Sequence, residues 1–160
     1  MKLDYPKIAL IGAPTDIGAG HRGSSMGPEA LRVAGIADAL RARGLEVHDY
    51  GNLQGPVNPW QPPVKGYRHL PEVVEWNRLV MEAVYESLGR GELPVMLGGD
   101  HCLGIGSVTA VARHCRETGK KLPVVVGCVV PDVVDCIVPV VVVCVVPVVV
   151  GTVVPLADCC

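Results

Sequence analysis

The chain has 160 residues, 49% of them hydrophobic, and a formal net charge of −2 at pH 7. This length is typical of one domain with a substantial core, and the weakly acidic balance argues against a nucleic-acid-binding surface. The N-terminal segment carries Asp4 and too short an apolar run for a signal peptide, so we predict a cytoplasmic protein whose seven cysteines are reduced thiols.

The first half of the chain predicts an alternation of strands and helices. "KIALIG" at 7–12 is short, apolar and ends in glycine, which is typical of a buried strand, and a long glycine-rich loop follows it. Residues 28–44 predict a helix that begins with proline and ends at a glycine. Residues 45–51 predict a second strand. The apolar face of the predicted helix consists of Val33, Ala37 and Leu40.

The same alternation continues after a loop rich in Pro and Gly. Residues 70–91 predict a second helix, 93–99 a third strand, 104–119 a third helix, and 121–127 the opening of a fourth strand. The apolar face of the second helix consists of Val73, Trp76, Val80 and Val84. Strands with continuous apolar runs, separated by helices, predict a parallel sheet covered on both faces.

Two loops at the ends of predicted strands are candidate ligand sites. In parallel sheets, ligands bind beyond the carboxyl ends of the strands. "GAPTDIGAGHRG" follows the first strand, and "GGDH" at 98–101 follows the third. Glycine lets the backbone approach a neighbour closely, and a neutral imidazole is a common metal ligand. The residues therefore make His101 a candidate metal ligand, while Asp100 is equally suited to cap the following helix.

Three blocks together resemble one known family. "IGAPTDIGAGHRGSSMGPEALRVAGI", "LEVHDYGNL" and "VMLGGDHCLGIGSV" are similar, in order and spacing, to arginases, the manganese ureohydrolases. The resemblance covers residues 5–122, and "MGPEALRVAGI" and "DYGNL" are more similar to arginase than to agmatinase. Cys102 stands where the family usually has serine.

The resemblance implies a fold, a metal centre and a reaction. The expected fold is a three-layer α/β/α domain with a parallel sheet, of which residues 1–122 are the N-terminal part. The expected cofactor is a pair of manganese ions whose bridging hydroxide attacks L-arginine to give L-ornithine and urea. The resemblance also implies a trimer or hexamer, with a small-molecule substrate and no nucleic-acid or membrane partner. It makes His101 a manganese ligand and assigns no such role to His21, which we predict to be a solvated loop histidine.

The remaining ligands that the resemblance implies are missing from the sequence. The family carries an Asp-x-His-x-Asp motif at the end of the next strand, where this chain has Cys128, Val130 and Asp132. Only Asp132 matches. No histidine follows His114 and no glutamate follows Glu117. We therefore predict His101 and Asp132 as the metal ligands that this chain offers, and no hydrolase activity for the 160-residue chain itself.

Residues 123–160 differ in composition from the rest of the chain. Half of these 38 positions are Val, none is Lys, Arg, Glu or His, and proline recurs every eight residues. The three prolines inside the uncharged stretch 136–157 argue against a membrane span. We interpret 123–160 as a low-complexity repeat tail that is not the family's natural continuation, of the kind that a frameshift, a cloning artefact or placeholder residues produce.

Two alternative functions remain open from the sequence. Within the same class, the chain is a relative of agmatinase or formimidoylglutamase, because the loops that select the substrate lie later in the family. From a different class, it is a non-catalytic fragment that self-associates through an exposed apolar edge.

Overall fold

The computed structural model of the protein describes residues 7–120. Within this range three strands alternate with four helices. Short 3₁₀ turns at Ser24–Met26 and His101–Leu103 precede the first and the last helix. In chain order the elements are β1 Lys7–Gly12, α1 Gly27–Val33, α2 Ile36–Arg41, β2 Glu46–Asn52, α3 Leu70–Gly89, β3 Leu93–Leu97 and α4 Gly104–Thr118.

The three strands form one parallel sheet. Its order is β2-β1-β3, with Ile8 of β1 opposite Val47 of β2 on one side and Leu93 of β3 on the other. All of β3 and all of β1 beyond its first residue are buried, because helices cover both faces. The carboxyl ends of the strands therefore meet at one edge of the sheet, as the sequence predicted.

Helices pack on both faces, so the domain has three layers. On one face, Ile11 and Met96 of the sheet contact the helical pair formed by α3 and α4. The apolar residues contributed by α3 include Val73, Trp76, Val80 and Val84, the face that the sequence predicted. On the other face, Leu10 and Val95 pack against α1 and α2. The predicted three-layer α/β/α arrangement is confirmed.

The single helix predicted at 28–44 is wrong in detail, because the structure has two short helices there. Gly35 separates α1 from α2 and adopts a left-handed backbone with φ +80°, which favours glycine. The break rotates the apolar face of α2 relative to α1. Ala37 and Leu40 pack against the sheet as predicted, but Val33 is 89% exposed.

Helices α3 and α4 approach each other closely at one glycine. A Cβ added at Gly106 would lie 2.4 Å from the backbone oxygen of Asn77. The backbone N–H of Gly106 instead donates to Oδ1 of Asn77 at 2.7 Å. This contact holds the first turn of α4, which follows His101 by only a few residues, against the middle of α3.

Several predictions fall outside the described residues. They are the fourth strand at 121–127, the boundary at residue 122 and the repeat tail 123–160, which includes the stretch 136–157 weighed as a membrane span. Among the helices of residues 7–120, none has the length and apolar character needed to cross a bilayer.

Candidate metal-ligand site

The "GGDH" segment lies where the loops after β1 and β3 meet. The N–H of Ala13 donates to the carbonyl of Leu97 at 3.0 Å, and the N–H of Asp100 donates to the carbonyl of Thr15 at 3.1 Å. Gly99 lies between them, and a Cβ added there would be 2.5 Å from the oxygen of Ala13 and 2.7 Å from that of Thr15. The close approach of the two loops therefore requires the absence of a side chain at residue 99.

Asp100 positions the backbone on both sides of this junction. Its Oδ1 accepts the N–H of Cys102 at 2.9 Å, so Asp100 caps the 3₁₀ turn that precedes α4 and not α4 itself, which the sequence had suggested. Its Oδ2 accepts the N–H of Gly18 at 2.6 Å, from the loop after β1. Both carboxylate oxygens of Asp100 are thus engaged by backbone donors, and the residue acts here by holding His101 in place.

His101 is exposed at the carboxyl end of β3. It is the first residue of the 3₁₀ turn that Asp100 caps. No other residue of the range 7–120 donates to or accepts from its ring nitrogens within hydrogen-bond distance. Its imidazole can therefore meet a ligand from solvent without breaking a contact inside the described part of the fold.

Cys102 is poorly suited to bind a metal, although it directly follows His101. Burial raises the pKa of its thiol, and the neighbouring Asp100 carboxylate raises this pKa further. The thiol is therefore protonated at neutral pH, whereas metals bind thiolates. Its sulfur instead packs close to Gly18, where an added Cβ would lie 3.2 Å from Sγ.

The described residues do not assemble a complete metal centre. Within residues 7–120, no group of three or more His, Cys, Asp or Glu side chains is arranged to hold an ion. His101 is the one predicted ligand that lies in this range, and Asp132 lies outside it. His21 is exposed in the glycine-rich loop after β1, and its predicted role as a solvated loop histidine stays a prediction.

Comparisons with known proteins identify the family of this chain. The sequence profile described as the arginase family matches residues 6–126. The chain belongs to the arginase family. The resemblance stated from the three sequence blocks is thereby confirmed.

Individual relatives are similar over the same region. The chain is 42% identical to an arginase of Brucella melitensis biotype 1 over 113 residues, which are 70% of this chain and 37% of the relative. It is 33% identical to an arginase of Brevibacillus brevis over 112 residues, 70% of this chain and 38% of the relative. The chain therefore spans little more than a third of the length of these relatives.

Solved structures show the same fold. An arginase from Bacillus caldovelox is 35% identical with a TM-score of 0.58, covering 67% of this chain and 36% of that one. An arginase from Bacillus cereus is 32% identical with a TM-score of 0.58, covering 68% and 35%. The three-layer fold described above is thus the arginase fold in its N-terminal part.

The two blocks most similar to arginase meet in the structure. Arg32, from "MGPEALRVAGI", donates from Nε and from one terminal nitrogen to the two oxygens of Asp49, from "DYGNL", at 2.9 Å each. Its other terminal nitrogen donates to Glu29 at 2.8 Å and to Asn52 at 2.6 Å. The side-chain hydrogen bonds from Arg32 lower the pKa of Asp49, although burial opposes this. These two blocks are therefore joined by an ion pair that ties α1 to β2.

Asp16 organises the glycine-rich loop, and sequence analysis missed it. The residue is 7% exposed, and its carboxylate accepts four hydrogen bonds. Burial raises the pKa of Asp16, but the hydrogen bonds from Ser24 and Ser25 outweigh burial and leave this pKa below its ordinary value. Its partners are Ser24 Oγ at 2.7 Å, Ser25 N at 2.8 Å, Ser25 Oγ at 2.7 Å and Gly23 N at 3.2 Å. An aspartate followed by a Ser-Ser pair inside a glycine-rich loop was the available signal.

His69 ties the long loop before α3 to the same region. Its Nδ1 lies 2.8 Å from the carbonyl of Ile17, and the backbone N–H of Gln61 donates to its Nε2 at 3.1 Å. The ring is buried and serves both hydrogen bonds when Nδ1 carries the proton. The loop after β1, whose Gly18 donates to Asp100, is therefore held from two sides, by Asp16 and by His69.

Proposed function

We propose that this chain forms the N-terminal part of an arginase-type hydrolase and that His101 is one of its manganese ligands. The observation that carries the proposal is the exposed imidazole at the carboxyl end of β3, held there by a carboxylate that binds the backbone on both sides. An imidazole whose loop is fixed in advance loses little freedom on binding a metal. Family membership supports the same role.

The available metal-binding side chains limit the activity that we expect from this chain alone. Two divalent ions need several carboxylates to balance their charge, and the described residues offer one imidazole beside an Asp100 that is already engaged. Manganese also prefers oxygen ligands to thiols, so neither Cys102 nor the cysteines after residue 123 are suitable manganese ligands. The described residues do not fit a binuclear centre, and we propose that the 160-residue chain by itself does not hydrolyse L-arginine. Asp132 is the proposed second ligand.

The substrate and setting of the complete enzyme are part of the proposal. The relatives named above are arginases, which supports L-arginine as the substrate and L-ornithine and urea as the products. Agmatinase and formimidoylglutamase activity remain the alternatives within the family. We propose a cytoplasmic homo-oligomer, a trimer or a hexamer, without a nucleic-acid or membrane partner.

Manganese titration tests the role of His101. The concentration of unbound Mn²⁺ is followed by electron paramagnetic resonance as the 160-residue chain is added. We expect weak binding that the substitution His101→Ala removes, whereas the matched substitution His21→Ala leaves it unchanged. An equal loss of affinity in both variants would contradict the assignment of His101.

A urea assay with added manganese tests activity separately. We expect no urea from L-arginine or agmatine and no product from formimidoylglutamate, because the described residues hold no complete centre. Urea release that disappears with His101→Ala would refute the inactive chain while supporting the metal site. It would mean that residues outside 7–120, or a neighbouring chain, complete the ligand set.

A non-catalytic, self-associating role is the second candidate, and one observation favours it. Within the described residues, β3 pairs with β1 on one side only, and no described strand lies along its other edge. This edge consists of five buried residues, Leu93–Leu97. A role of this kind predicts stable oligomers in the absence of any metal.

A further inference from the structure

A cavity of about 690 Å³ lies beside the glycine-rich loop. Its walls are the loop after β1 and the segment that follows β2. Neither Asp100 nor His101 lines it. This volume is within the usual range for small-molecule sites.

Specific hydrogen bonds hold the walls in place. Asn58 donates from Nδ2 to the backbone carbonyl of Asp16 at 2.9 Å, which joins one wall to the other. The buried indole of Trp76 donates to the carbonyl of Pro56 at 2.9 Å and forms part of the floor. The cavity is therefore built by the fold, and a ligand would meet walls that are already positioned.

Trp60 is held at the cavity in a strained conformation. Its backbone has φ +51°, in the left-handed region that bulky residues rarely adopt, and its N–H donates to Oδ1 of Asn58 at 2.9 Å. The residue is 38% exposed. Asn58 thus fixes both the wall and the aromatic residue on it, and strain of this kind is typical of functional positions.

Arg22 supplies a positive charge at the same place. Its guanidinium lies 4.8 Å from the centre of the Trp60 ring. No carboxylate of residues 7–120 forms an ion pair with it. Asp16 lies in the wall but is nearly buried and saturated by its own donors.

We propose that this cavity binds a small carboxylate that carries a flat apolar body. The carboxylate would accept from the guanidinium of Arg22 in a charge-assisted pair, and the flat body would lie along Trp60, Leu53 and Val57. Val57 is 87% exposed, so the apolar wall is accessible from solvent. The site is independent of the proposed manganese chemistry and does not need the metal.

Intrinsic fluorescence of the 160-residue chain reports on this cavity alone, because both tryptophans of the protein line it. The probe is benzoate, titrated to millimolar concentration. We expect a saturable change in emission, which Arg22→Gln weakens about tenfold, as expected for the loss of one charge-assisted contact. The matched control is Arg43→Gln, because Arg43 is exposed and, among residues 7–120, makes only a hydrogen bond to a backbone carbonyl.

Two substitutions of opposite charge at the exposed residue Val57 provide a second test that does not depend on Arg22. Val57→Lys is expected to tighten benzoate binding and Val57→Glu to weaken it, while circular dichroism shows both variants folded. Emission that does not saturate, or equal affinity in Arg22→Gln and wild type, would overturn the proposal. Benzyl alcohol or acetate binding as tightly as benzoate would overturn it too. Tighter binding of phenyl phosphate would assign the site to a phosphate instead of a carboxylate.

Discussion

Gly99 shows how one missing side chain decides the geometry of the candidate site. The carbonyl oxygens of Ala13 and Thr15 occupy the space that a Cβ would need, and both belong to backbone that pairs with the end of β3. The oxygen of Thr15 accepts the N–H of Asp100, and the oxygen of Ala13 accepts the N–H of Thr15, so a shift of either oxygen breaks a hydrogen bond. The glycine pair before Asp100 is therefore a packing requirement as much as a functional motif.

The substitution Gly99→Ala is expected to lower the free energy of unfolding by about 1–3 kcal/mol, since overpacking against backbone is poorly relieved. Chemical denaturation measures the change. The matched control is Gly89→Ala, at the end of α3, where an added Cβ meets no atom within 4 Å. That variant is expected to be as stable as wild type or up to about 1 kcal/mol more stable. Equal destabilisation of both variants would contradict the steric explanation.

Asp16 links stability to pH through its hydrogen bonds. We expect Asp16→Asn to lower the free energy of unfolding by about 1.5–3 kcal/mol at neutral pH, because the hydroxyl and amide donors of Ser24 and Ser25 lose a charged acceptor. The control Asp38→Asn removes an exposed carboxylate paired with Arg41 and should change stability by less than about 1 kcal/mol.

The pH dependence of this difference has a definite sign. The pKa of Asp16 in the folded state is lower than its ordinary value of about 3.9. The charged form therefore stabilises the fold fully above that value, and the advantage is lost as the pH falls through the lower folded pKa. Denaturation curves of wild type and Asp16→Asn should converge as the pH falls below about 4. A difference that grows on acidification would contradict this account.

At the scale of elements, the ion pair of Arg32 and Asp49 joins α1 to β2. Lysine keeps the charge but cannot bind both carboxylate oxygens in the same planar arrangement. We expect Arg32→Lys to lower the free energy of unfolding by about 1–2 kcal/mol. Without the guanidinium group, the hydrogen bonds to Glu29 and Asn52 are lost as well. Thermal unfolding measures it.

The control for this prediction is Arg41→Lys on α2. Arg41 pairs with Asp38 at an exposed position, three residues apart on the same helix, so the expected change is about 0.5 kcal/mol or less. If Arg41→Lys were as destabilising as Arg32→Lys, the bidentate geometry at Asp49 would not be the cause.

For the whole molecule, we expect self-association that does not need metal. Residues 123–160 contain no Lys, Arg or Glu to oppose contact between copies, and they are rich in the β-prone residue Val. Sedimentation velocity over a range of concentrations, with a chelator present, should show oligomers. The variant Val141→Lys/Val149→Lys places two charges in the tail and should shift the distribution toward monomer, whereas Ala42→Lys on the described surface should not. A concentration-independent monomer would contradict the prediction.

The sequence by itself determined the alternation of elements, the family and the candidate ligand His101. Apolar runs report burial on both faces, and the spacing on α3 from Val73 to Val84 follows the helical period, so local pattern was sufficient. The same reasoning failed at 28–44, because the periodicity of apolar residues does not show where a glycine takes a left-handed conformation. Gly35 splits that helix and leaves Val33 exposed.

Only the tertiary structure decided what surrounds His101. The bond from Gly18 to Asp100 joins residues 82 positions apart, and the pairing of Arg32 with Asp49 joins a helix to the edge strand. The cavity at Arg22 and Trp60 likewise exists only where two loops meet. Such contacts depend on the parallel sheet bringing distant strand ends to one edge, and no local pattern in the chain encodes that distance.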